Sequence, residues 1–105
     1  MIAPNDSNRV LKFRRPRFLL GGLFATPGAA DALAKAGENE MYFFERHCGG
    51  DWGEVSPEDA EANEKAIDEG NRILSAYTLR DGTTKIWVIT EANRAATTIL
   101  LPDEY

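Results

Sequence analysis

This chain lacks a second cysteine, a second histidine and any apolar run long enough to cross a membrane. With Cys48 alone, neither an intramolecular disulfide nor a multi-cysteine zinc site can form. A lone thiol suits a reducing, cytoplasmic compartment. With His47 alone and the carboxylates scattered, no recognised metal-ligand spacing exists, so the expectation is no metal and no cofactor. The apolar patch from Phe18 to Phe24 is seven residues, far short of a span. It also lacks the organisation of a secretory signal, and none is expected. Gly21-Gly22 is followed by no Lys-Ser/Thr, and no third glycine stands at the dinucleotide spacing. Both phosphate-cradling loops are thereby excluded. There is no internal repeat, linker or low-complexity run.

What is present fits one globular domain. At 105 residues, 43% hydrophobic and 28% charged, the chain can bury one core without staples. The formal charge of −5 is unevenly placed. Arg9, Lys12, Arg14, Arg15 and Arg17 crowd the first twenty residues against Asp6. Residues 51–69 hold eight acids against Lys65. Such asymmetry fits a solvated acidic face, an internal match, or two surfaces for different partners.

Turn and cap chemistry divides the chain. Residues 1–16 form an expected mobile basic arm, with Pro16 blocking a helix there. Phe18–Phe24, apolar on both faces, predicts a buried strand, and Gly21-Gly22 a bulge or close backbone approach. Thr26-Pro27 opens a first helix that stops at Gly37. Asn39 caps a second, from Glu40 to Cys48, with Phe43 and His47 on one face and Met41, Phe44 and Cys48 on the next. Ser56-Pro57-Glu58-Asp59 caps a third, ending at Gly70, with Ala62, Asn63, Ala66 and Ile67 inward. From Arg72 the period becomes two: strands over 72–79, 85–91 and 96–101, the first two joined at Asp81-Gly82. The order predicts an α+β domain over residues 17–105. It has one N-terminal strand, three short helices packed on one sheet face, and a three-stranded antiparallel meander. Ile73, Ile86, Val88, Ile89 and Ile99 are expected in the core with Leu20, Leu23, Phe44 and Ile67.

The stretch Glu45–Gly53 gathers the only His, the only Cys and a Trp around glycines. His47 ends a helix, where the dipole favours imidazolium. Asp51 follows past a Gly49-Gly50 reversal. A His47–Asp51 contact would raise the ring pKa and supply half of an acid–base site. Arg72, Ser75 and Arg94 would complete a catalytic set around a phosphate. The competing reading makes His47 a structural helix-end residue, Cys48 a buried inert thiol, and Trp52 a plug between sheet and helices. Asn63, polar on an inner helix face, must find partners or cost roughly 1–3 kcal/mol. It is expected to tie the third helix to the glycine loop or the sheet.

The runs His47–Gly53, Gly70–Tyr77, Trp87–Arg94 and Thr97–Tyr105 resemble a family of small bacterial proteins described as plasmid-related or hypothetical, found on plasmids and integrated elements. The resemblance spans roughly residues 24–105, leaves the basic arm outside, and implies a bacterial cytosolic setting without a mechanism. In layout alone the chain is similar to the barnase–colicin–RelE-like ribonucleases, from which it departs by being acidic.

Two functions follow as expectations. One is an accessory interaction protein that binds another protein through the helix 2–helix 3 surface, with Trp52, Glu58, Glu61, Asn63, Glu64 and Tyr77 as contacts. The alternative is a metal-independent ribonuclease built on His47, Asp51, Arg72, Ser75 and Arg94. Nucleic acid could also be held by Arg14, Arg15 and Arg17. An open cleft at His47 would favour the nuclease, and a ring packed under Trp52 the interaction protein.

Overall fold

The computed structural model describes residues 15–105. Of the expected arm, only Arg15 and Pro16 fall within that range. The elements are β1 (Gly22–Ala25), α1 (Pro27–Ala36), α2 (Glu40–Cys48), α3 (Pro57–Glu69), β2 (Ile73–Thr78), β3 (Lys85–Thr90), β4 (Ala96–Leu100) and a final 3-10 turn (Pro102–Glu104). Each helix begins where a side chain replaces a missing backbone acceptor. Thr26 accepts from the Ala29 amide, Asn39 from Met41 and Ser56 from Asp59. Gly37 and Gly70 close α1 and α3 in the left-handed region, at φ of 68° and 74°.

The α+β class holds, with one change in the sheet. It has four strands in the order β1-β4-β3-β2 and is mixed. β2, β3 and β4 run antiparallel, but β1 joins parallel to β4, with Leu23 opposite Thr97. A parallel neighbour needs a long crossover, which the three helices and two strands between them provide. α1 contacts β4, α2 contacts β3 and α3 contacts β2, so the helices cross the sheet in chain order.

The core lies between helices and sheet, around Leu33, Phe43, Phe44, Tyr77, Ile86, Val88 and Ile99, with Leu20 packed against it. A second cluster joins Trp52, Ala66 and Ile73 to Phe18 and Ile67. Ile89 is buried on the far face, where the C-terminal turn brings Tyr105 edge-on to Trp87 at 5.6 Å. Ala62, expected inward, is exposed.

The expected buried strand at 18–24 is corrected. Pairing begins only at Gly22, and β1 is an edge strand. Leu19, Leu23 and Phe24 are 75%, 42% and 56% exposed, so Leu23 is no core residue. The close approach expected at the glycines is real. Gly21 has φ +66°, and a Cβ there would stand 2.4 Å from the Ala95 carbonyl carbon.

Candidate functional site

α2 carries His47 onto the inner face of the sheet, where it is 0% exposed. The alternation of β2, β3 and β4 turns Ser75, Thr90 and Thr97 inward, all three fully buried. The imidazole bridges strands, with Nδ1 2.5 Å from Ser75 Oγ and Nε2 2.9 Å from Thr90 Oγ1. Thr90 Oγ1 is 2.7 Å from Thr97 Oγ1, which donates to the Leu20 carbonyl at 2.7 Å.

The proton positions follow from counting. Thr97 spends its one hydroxyl proton on Leu20, so it accepts from Thr90. Thr90 then has none left for the ring and must accept, which makes Nε2 the N–H. Nδ1 of a neutral ring is therefore the acceptor, and Ser75 donates to it. One directed chain runs Ser75, His47, Thr90, Thr97, Leu20, and satisfies every member. Burial lowers the His47 pKa to about 3, so the ring is neutral.

Aromatic rings close the site. Phe18 meets His47 edge-on at 5.2 Å, Trp52 does so at 6.0 Å, and the two rings stack at 6.1 Å. Trp52 Nε1 donates to Glu64 at 3.1 Å, and Arg17 grips the same carboxylate with both terminal nitrogens at 2.9 and 2.7 Å. That guanidinium holds the Glu64 carboxyl below its usual range. An ion pair on α3 thus latches the chain entering from Pro16 across the ring stack.

The expected His47–Asp51 pair is corrected. Asp51 instead receives Arg46 Nε at 2.7 Å and the Gly53 amide at 3.1 Å. The ring points into the sheet, and burial outweighs the helix dipole, so its pKa falls where a rise was expected. Of the proposed catalytic set only Ser75 meets His47. Arg72 reaches Tyr105, with its guanidinium 5.2 Å from the ring centre. Arg94 ties the end of α3 to the β3–β4 turn, donating to the Ala66 carbonyl at 2.9 Å and Asn71 at 2.7 Å. It holds φ 60° to do so. Cys48 is a buried thiol whose pKa burial raises.

Of the expected protein contacts, Glu58 and Glu61 are exposed on α3. Trp52 and Glu64 are joined to each other. Tyr77 is buried, its hydroxyl donating to the Asp51 carbonyl at 2.6 Å and its ring under Arg46 at 4.4 Å. Asn63, 5% exposed, donates to the Leu74 carbonyl at 2.8 Å and accepts from the Leu74 amide at 3.2 Å, the expected tie to the sheet. Arg14 lies outside the described residues, Arg15 is exposed and Arg17 is engaged with Glu64. Among the described residues no three His, Cys, Asp or Glu side chains gather as a metal site, and no helix is long and apolar enough to cross a membrane.

A feature the sequence reading missed lies at the sheet's margins. The outward main chain of β2 is sealed: Asn63 takes both groups of Leu74, the Ala76 amide donates to Trp52, and the Ala76 carbonyl accepts from Glu54. Among the described residues, nothing covers the β1 margin. Beside it lies an apolar groove of about 320 Å³, lined by Pro16, Phe18, Leu19, Leu20, Leu23 and Cys48 among others. Compared with family models, curated proteins and solved structures, the chain matches none.

Proposed function

We propose that this chain is a non-enzymatic protein-binding module whose binding element is the β1 edge with its adjoining groove. One observation carries the reading. The polar chemistry at His47 is spent inside the fold, whereas Leu23 and Phe24 on β1, and Leu19 just before it, stand exposed beside an edge that no described residue covers. Open edges with apolar side chains accept another strand. We further propose an accessory role in a bacterial mobile element, which is what the sequence resemblance of residues 24–105 implies. The ribonuclease reading loses support because its base is sealed from solvent and its arginines serve as clamps.

A second surface has its own observation. Glu58 and Glu61 are exposed on an acidic α3, which suits a basic partner at the helix 2–helix 3 face. A photo-crosslinking residue placed at position 24, and separately at 61, distinguishes the two in cells. Adducts from position 24 alone are expected. Adducts from 61 alone would move the binding surface to α3, and RNA cleavage abolished by His47→Gln in a folded protein would restore the nuclease.

A further inference from the structure

Among the described residues, the two margins of this sheet are treated in opposite ways. Edge strands ordinarily carry charge, proline or a cover that prevents pairing. β2 has a cover. Among the described residues β1 has none of these devices: residues 18–30 contain no charged side chain, and the nearest proline, Pro27, lies beyond the strand. Its register on β4 fixes which groups are bare. The Gly22 amide bonds Ala95 and the Thr26 amide bonds Ile99, so even-numbered main-chain groups point inward. Leu23 and Ala25 therefore turn their N–H and C=O outward. Among the described residues, no hydrogen bond reaches them from that side.

Resting on the edge-binding reading above, we infer that the occupant is a second copy of this chain, paired antiparallel along β1 about a two-fold axis at Phe24. The register is self-complementary. Leu23 stands opposite Ala25 of the second copy and Ala25 opposite its Leu23, each pair exchanging both main-chain bonds. Phe24 stands opposite itself in the closer, non-bonded position, with Cα atoms about 4.5 Å apart. Its ring already lies over Gly22, where a Cβ would come within 2.8 Å of it. The two 56% exposed rings thus meet on one face, an aromatic cross-strand pair. On the other face Leu23 and the groove gain cover. Charge permits this pairing. The acids of α3 sit by β2, at the far side of the sheet, so two chains of charge −5 meet along their uncharged strands. β1 has only four residues, so the dimer is reversible and concentration-dependent rather than permanent.

Sedimentation velocity on the full chain tests this. The mean mass should rise from one chain toward two between micromolar and millimolar concentration. Phe24→Asp should remain at one chain with an unchanged unfolding temperature, since the residue is exposed. Phe24→Cys supplies the register, because about 4.5 Å lies within the roughly 4.4–6.8 Å a disulfide spans. Mild oxidation should link it into dimers far faster than Glu61→Cys. A native chain that stays single at every concentration overturns the dimer. If position 24 then crosslinks to a different protein, the edge-binding reading survives without it; if it crosslinks to nothing, both fall. A dimer that persists in Phe24→Asp would place the interface elsewhere and also overturn the proposal.

Discussion

His47 joins strands far from it in sequence, and its neutral form is the one that completes the hydroxyl chain. Its folded pKa of about 3 lies below the ordinary 6.5, so the unfolded chain takes up the proton first. The stability due to this group should be fully present above about pH 6.5 and lost as pH falls toward 3, at no more than roughly 1.4 kcal/mol per pH unit. Urea unfolding between pH 7 and 4 measures that slope. An NMR titration should show an Nε2–H tautomer that does not titrate until the fold is lost. A midpoint at or above 6.5 in folded protein would contradict it. His47→Ala removes a buried ring and leaves Ser75 and Thr90 without their partner, at an expected cost of about 3–5 kcal/mol. The sequence marked this residue by its singularity, yet named the wrong partner. Asp51 is near in the chain, whereas Ser75 and Thr90 are 28 and 43 positions away. Only the strand register brings them under α2.

Helices were the most legible elements because their boundaries are local chemistry. Thr26, Asn39 and Ser56 begin them and Gly37 and Gly70 end two of them, as their side chains dictate. Asn63 was legible for the same reason: an amide on an inner helix face must be satisfied. Asn63→Ala should cost roughly 1–3 kcal/mol, because it strands both main-chain groups of Leu74. Chemical denaturation checks this, and an unchanged midpoint would remove its sealing role. Gly53 matters to the same seal. It holds φ +72°, and a Cβ there would lie 2.0 Å from the Ala76 oxygen. Gly53→Ala should therefore push residues 52–54 off β2 and lower the unfolding temperature clearly, whereas Gly82→Ala, with open space around it, should cost only its backbone strain. β1 was misread because an apolar run has no period to distinguish burial on both faces from exposure at an edge. That choice depends on which strands flank it, and the strand beside it, β4, comes last of the four in the chain.

Across the whole molecule, one side of the sheet is closed by α3 and the Trp52–Glu54 segment, and the other ends in uncharged β1. The acids of α3 lie by β2, at the opposite margin of the sheet from β1. What composition could not reveal is that no described residue bonds the outward row of main-chain groups on β1. Residue-resolved amide exchange tests this contrast directly. In single-chain Phe24→Asp the Leu74 and Ala76 amides, bonded to Asn63 and Trp52, should exchange slowly, and those of Leu23 and Ala25 fast. Raising the concentration of the native chain should slow Leu23 and Ala25 alone. The account is contradicted if Leu74 and Ala76 exchange freely. It is equally contradicted if Leu23 and Ala25 are protected in the single chain and lose that protection when residues 1–14 are deleted, which would give the edge to the chain's own N-terminal segment.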